Sequence, residues 1–128
     1  MKRNEVGIAR PFFDPAIDVA ARRQPGLSQF DYIVLQDLSA AIGRVADSLT
    51  GKLLDYGCGA KPYEPLFRRC LSYEGADFSE NLFARWPIGE DGALPTELTS
   101  AFDAVLSFQV LEHVPDVSLY LEECRRVL

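Results

Sequence analysis

Apolar residues recur at helical spacing through Leu35, Leu38, Ile42, Val45 and Leu49, which predicts a helix begun after Ser28 and ended by Thr50-Gly51. Ser28-Gln29-Phe30-Asp31 reads as its capping box, in the looser form with Asp. The pattern then changes. Lys52 to Tyr56 is short and apolar, as a buried strand is. Tyr63, Leu66, Phe67, Cys70 and Leu71 form a second helical stripe and predict a helix over 62–71, with Pro62 tolerated in its first turn. Tyr73 to Asp77 is the next strand candidate, and Ser79 is placed to cap a short helix that stops before Pro87. Trp86 to Ile88 predicts a brief strand, while Gly89, Gly92 and Pro95 mark the segment up to residue 100 as mostly loop. Phe102 to Ser107 reads as a strand. Asp116 caps a last helix, with Val117, Tyr120, Leu121, Cys124 and Leu128 on one face. Ahead of these elements, Pro11, Pro15 and Pro25 act as breakers and make residues 1–27 an irregular arm.

Helices and strands alternate from residue 28 onward. That order predicts an α/β fold: a Rossmann-like, doubly wound, mostly parallel sheet over 28–128, with a helix preceding its first strand. Ligands of such sheets bind outside the carboxyl ends of the strands. The chemistry is therefore sought there.

Composition narrows the classes. The chain has 128 residues, enough for one ordinary domain, and 48% of them are apolar against 25% charged. A net charge of -6 argues against a general nucleic-acid binder, which needs a basic surface. Residues 1–27 are mildly basic and could form either a lid over a pocket or a plain arm. No run approaches a membrane span, and no apolar signal segment follows the basic N-terminus. Cys58, Cys70 and Cys124 have no metal-ligand spacing, and an odd count makes a poor disulfide framework. A reducing cytoplasm is the expected compartment.

"LLDYGCGAKPY", Leu53 to Tyr63, closes the first strand with Asp55, Gly57 and Gly59. Glycine allows a tight turn and a close approach of ligand to backbone. A dinucleotide loop would want a third glycine where Pro62 stands, and a P-loop would end in Gly-Lys-Ser/Thr. Asp55 suits a cationic ligand better than a pyrophosphate. Asp77 closes the second strand eighteen residues after Gly59, where a carboxylate can take both hydroxyls of a ribose. The site therefore expects a nucleoside that lacks a diphosphate and tolerates nearby negative charge.

"LLDYGCGAKPYEPLF", "YEGADFSE" and "FDAVLSFQVLEHVPD" together resemble the class I S-adenosylmethionine-dependent methyltransferases of the small-molecule type. The resemblance covers Leu53 to Leu128. It implies that Asp55, Gly57, Cys58 and Gly59 line the methionine part of S-adenosyl-L-methionine, with Asp55 near its ammonium or held by local backbone. It implies Asp77 on the ribose hydroxyls and Phe78 flanking the adenine. An acid after the third strand would meet the adenine amino group. "GEDGALP" offers Glu90 or Asp91, and Asp91 is favoured because Asp-Gly is the commoner phrase. Ser107, Phe108 and Gln109 would face the sulfonium and the substrate. Lys61 departs from the longer glycine form and either points outward or meets the cofactor carboxylate.

The activity so implied is methyl transfer to a small-molecule acceptor, with Gln109 and His113 as acceptor-side candidates and no residue required as a base. Cys58 reads better as a small loop residue than as a nucleophile, and His113 better as a hydrogen-bonded structural histidine. Three rivals stand beside this reading: a non-catalytic cofactor-binding module, an inactive fragment, and a nicotinamide-dependent oxidoreductase with a variant loop. Domains of the resembled family carry seven strands, whereas about four are readable here. The chain is thus expected to be the N-terminal half of such a domain, its fourth strand an exposed edge open to self-association.

Overall fold

The computed structural model describes residues 15–28 and 32–128. Strands β1 (Gly51–Tyr56), β2 (Cys70–Asp77), β3 (Trp86–Pro87) and β4 (Ala104–Leu106) form one sheet in the order β3-β2-β1-β4. Every pairing is parallel, with Asp55 beside Gly75 on one side and Leu106 on the other. Helices α1 (Pro15–Arg23), α2 (Tyr32–Ala46) and α3 (Val117–Val127) complete the architecture. The doubly wound α/β expectation holds.

The central strand explains the layers. Leu53 and Leu54 are both fully buried, and successive strand residues face opposite sides. Leu53 packs with Ile42 and Ala46 of α2 and with Tyr63 and Phe67. Leu54 packs with Tyr120 and Val127 of α3 and with Leu98 and Phe102. Burial on both faces is why β1 carries Leu53 and Leu54 side by side instead of alternating apolar with polar residues. Each such side chain contributes about 1.5–3 kcal/mol through burial.

Four expectations need correction. The arm is not wholly irregular, because 15–23 is α1; residues 1–14 lie outside the described residues. Pro15 occupies the first helical position, where a missing N–H costs nothing, and Pro25 follows the end. Those two prolines bracket a helix instead of breaking one. The helix over 62–71 is absent. Pro65, three residues after Pro62, limits the chain to a 3₁₀ turn at Glu64–Leu66, and Cys70 then opens β2 opposite Gly51. Tyr63 and Phe67 are still buried, but Leu71 is exposed. The short helix after Ser79 is replaced by two turns. There Asn81 takes the Phe83 N–H on its side-chain oxygen and competes with helical bonding. Finally, the buried face of α3 runs through Tyr120, Cys124 and Val127, whereas Val117, Leu121 and Leu128 are exposed.

Other elements hold. α2 buries Leu35 and Ile42, with Val45 exposed and Leu49 just past its end. Of its expected capping box, 29–31 lie outside the described residues. Asp116 caps α3 by accepting the Leu119 N–H at 3.0 Å. β4 is a sheet edge, as expected. Among the described residues no helix is long and apolar enough to cross a membrane.

Candidate functional site

Chain order places β2 and β3 on one side of β1 and β4 on the other. The carboxyl ends of β1 and β4 therefore flank the point where the winding reverses, the crevice in which such sheets bind ligands. The glycine turn follows β1 there, and Phe108 to Val110 follow β4.

The turn is built on its glycines. Gly57 has φ +84° and its N–H bonds to the Ala76 carbonyl at 2.8 Å. A Cβ on Gly57 would come within 2.5 Å of the Val110 side chain, so glycine is needed for conformation and for space. Gly59 has φ +51°, and a Cβ there would meet nothing within 4 Å. Its open face is a cradle that a side chain would fill.

Asp77 ties the turn to β2. Its Oδ2 accepts the Gly59 N–H at 2.9 Å and the Asn81 side-chain N–H at 2.8 Å, and its Oδ1 accepts the Phe78 N–H at 2.8 Å. Three bonds leave acceptor capacity on a carboxylate with about four lone-pair sites. Asn81 also donates to the Gly59 carbonyl at 2.7 Å, so one amide clamps both ends of the arrangement.

Asp55 is 2% exposed on the α2 side of the sheet, the face of Leu53. The Tyr73 hydroxyl donates to its Oδ2 at 2.6 Å. Burial pushes its carboxyl up from 3.8 to about 6, opposed chiefly by that hydrogen bond and reinforced by the nearby Asp77 charge. It is thus held by a phenol on β2, not by local backbone. Burial likewise pushes the Cys58 thiol up to about 12, and the Asp55 and Asp77 charges add to the effect. A thiol so held stays protonated, which agrees with Cys58 as a packing residue.

Two cavities meet at this turn. The larger, about 360 Å³, is lined by Tyr56, Gly57, Gly59, Asp77, Phe78, Ile88, Glu90, Asp91, Gly92, Gln109, Val110, His113 and Tyr120, among others. The smaller, about 250 Å³, is lined by Arg22, Asp55, Gly57, Cys58, Gly59, Ala60, Pro62, Tyr63, Phe108, Gln109 and Val110. Gly57, Gly59, Gln109 and Val110 border both. Asp55, Cys58 and Phe108 thus gather on one side of the turn and Asp77, Phe78, Glu90 and Asp91 on the other. Gln109 stands at the junction with φ +56°.

Two candidates are placed otherwise than expected. Ser107 lines neither cavity: its hydroxyl donates to the Tyr56 carbonyl at 3.1 Å and accepts from the Tyr120 hydroxyl. Residue 107 follows β4 with its side chain turned back to β1 and α3, where those two partners wait. His113 is exposed and lines the larger cavity alone. Lys61, expected either outward or on the cofactor carboxylate, pairs with Glu64 at 3.1 Å and lines neither cavity. Asp91 uses Oδ1 to accept the Ala93 N–H at 3.0 Å within its own turn, and both it and Glu90 face the larger cavity.

The family comparison matches a model described as "Methyltransferase domain" over residues 27–128. The chain belongs to the methyltransferase domain family. It matches no curated protein and no solved structure. The oxidoreductase rival is set aside on this finding.

Several residues that shape the site of the methyltransferase domain escaped the sequence reading. Tyr56 donates its hydroxyl to the Gly92 carbonyl and so anchors the acidic turn. Glu123 accepts the Leu94 N–H at 2.7 Å, and Arg126 donates to the Leu94 carbonyl at 3.0 Å. Their partners lie about thirty residues apart in sequence, beyond any local pattern. Gly75 did leave a signal, as a glycine inside a strand. A Cβ on it would come within 2.5 Å of the Cys58 Sγ, so the loop sits directly on β2 there.

Proposed function

We propose that this methyltransferase domain uses S-adenosyl-L-methionine to methylate a small-molecule acceptor. The observation that carries the reading is the pair of cavities joined at the Gly57–Gly59 turn, with the Asp77 carboxylate in one and the buried Asp55 carboxylate in the other. The open cradle at Gly59 supports the fit, since it leaves room for a ligand to pass from one cavity to the other. Asp77 would take a ribose hydroxyl on its remaining lone pair, and Phe78 and Ile88 offer apolar surface to a base. Glu90 or Asp91 would take the adenine amino group. Asp55 and Cys58 would lie along the amino-acid end.

The cofactor would supply an activated methyl group at a sulfonium. The residues of this chain would contribute alignment: Gly57 and Gly59 admit close approach, and Gln109 and Phe108 border the junction where an acceptor would meet the methyl. No base is assigned.

Thermal unfolding with and without S-adenosylhomocysteine tests the reading. At about a hundred times its dissociation constant the ligand should add about 2.7 kcal/mol. Asp77→Ala should abolish the shift. A cooperative wild-type transition with no shift refutes the site. Binding without transfer in an acceptor screen would make the domain a cofactor-binding module instead of an enzyme.

A further inference from the structure

Asp55 is a buried acid with its two oxygens in different positions. Its Oδ2 accepts the Tyr73 hydroxyl at 2.6 Å. Among the described residues no hydrogen bond reaches its Oδ1, and the residue lines the smaller cavity at 2% exposure. One oxygen is therefore committed to β2, and the other is left to a ligand in the cavity. A carboxylate buried this far is expensive to keep charged without bonds to its charged form.

Tyr73 is built to supply such a bond. It stands beside Leu53 in the parallel register, two residues before Gly75, which faces Asp55 itself. Its ring packs on Phe67 with centroids 5.4 Å apart, which fixes the hydroxyl in place. Burial, with the Asp55 charge adding to it, pushes the Tyr73 hydroxyl far up, so it stays a protonated donor at every ordinary pH.

The other charges around Asp55 do not replace this donor. Asp77 at the end of β2 and Glu64 in the 3₁₀ turn both favour the protonated acid, and Lys61 opposes them while pairing with Glu64. Cys58 in the glycine turn is held as a neutral thiol. Tyr63 shares the cavity wall, as does Arg22 of α1, which donates to Gln109. On the same face α2 presents apolar Ile42 and Ala46. Across the sheet, Tyr120 of α3 feels the Asp55 charge and gives its hydroxyl to Ser107.

We propose that Tyr73 is a positioning residue for cofactor binding: by holding one oxygen of Asp55, it keeps the other an anionic acceptor for the ammonium of the bound ligand and sets the pH below which that ligand is released. This rests on the S-adenosylmethionine reading above, with Asp55 at the amino-acid end. Asp55 gains a proton as pH falls through about 6, and the site then loses the charge that an ammonium requires.

Calorimetry on the full chain from about pH 5 to about pH 8.5 tests this with two probes. S-adenosylhomocysteine carries the ammonium; 5′-methylthioadenosine keeps the nucleoside and thioether but lacks the amino-acid group. Wild-type affinity for S-adenosylhomocysteine should fall about tenfold per pH unit below the break near pH 6. Tyr73→Phe keeps the ring and removes the donor. It should move the break up by about one unit, leaving binding about fivefold weaker near pH 6 and close to wild type by about pH 8.5. Asp55→Asn should abolish the break, and Tyr73→Phe added to it should change affinity by less than about twofold. The methylthioadenosine probe should show no break in any of these proteins. A flat wild-type profile, a break that Tyr73→Phe does not move, or an equal loss for both probes at every pH overturns the inference and leaves the cofactor reading in place. Failure of the wild type to bind either probe overturns both. Unfolding transitions confirm that each variant is folded.

Discussion

Asp55→Asn should make the unliganded protein more stable near neutral pH. Burial lifts the carboxyl from its ordinary 3.8 to about 6, with the Tyr73 bond opposing and the Asp77 and Glu64 charges assisting. A rise of about two units at ~1.36 kcal/mol each is worth about 3 kcal/mol. The sign follows from proton counts. Between pH 3.8 and about 6 the native state holds a proton on Asp55 that the unfolded chain has released. Stability is therefore fully present at the acid end of this window and is lost as pH rises through it. Asparagine is neutral throughout, matches the shape, and can accept the Tyr73 hydroxyl on its amide oxygen. The variant and the wild type should unfold alike near about pH 4, and the variant should gain about 3 kcal/mol near about pH 7. Urea unfolding at both pH values, with unchanged denaturant slope, measures this. A variant that is less stable near neutrality, or a gap that does not depend on pH, refutes the reasoning. The same substitution should weaken S-adenosylhomocysteine, as expected where a destabilising group is kept for binding.

Further outcomes follow from the same geometry. Tyr73→Phe removes the bond that lowers Asp55, so the acid-side rise in stability should begin at higher pH, as read from unfolding midpoints across a pH series. Gly57→Ala forces a side chain into a left-handed backbone and to within 2.5 Å of Val110, and should cost about 1–3 kcal/mol. Adding Val110→Ala should return part of that loss in a double-mutant cycle, and strict additivity would refute the steric explanation. Glu123→Gln should weaken the clamp on the 89–95 turn. The Arg126 bond holds the Glu123 carboxyl below its ordinary range, so its stabilisation is present above the unfolded value and lost as pH falls through the lower folded value. The variant should lose stability near neutral pH and differ little in acid. Cys58 should react with iodoacetamide near about pH 8 far more slowly than a free thiol, since its thiolate is scarce; rapid labelling monitored by mass would contradict its buried, protonated state.

Much of this architecture was readable locally. β1 announced itself because burial on both faces leaves no room for polar alternation. The site's first carboxylates, Asp55 and Asp77, and the glycines between them stood at fixed offsets from strands, where parallel sheets place their ligands. The cap at Asp116 was legible because capping is decided within a few residues. Helical periodicity alone misled at 62–71, where the two prolines and the need to pair β2 with β1 outweighed an apolar stripe. It also misplaced the buried face of α3, since only the docked helix reveals which apolar residues meet β1.

Tertiary structure decided what sequence spacing cannot carry. Tyr73 reaches Asp55 because register sets Leu53 beside Tyr73 and Asp55 beside Gly75, on one face. Ser107 turns away from the cavities because Tyr56 and Tyr120 capture its hydroxyl. Arg22 reaches Gln109 across 87 residues of chain because α1 packs against α2 and brings its last turn to the wall of the smaller cavity. The sequence by itself determined the elements, the sheet and the carboxylates at its strand ends, because those depend on neighbours along the chain. Which partner each charge meets depended on packing between elements distant in sequence, and only the folded chain settles that.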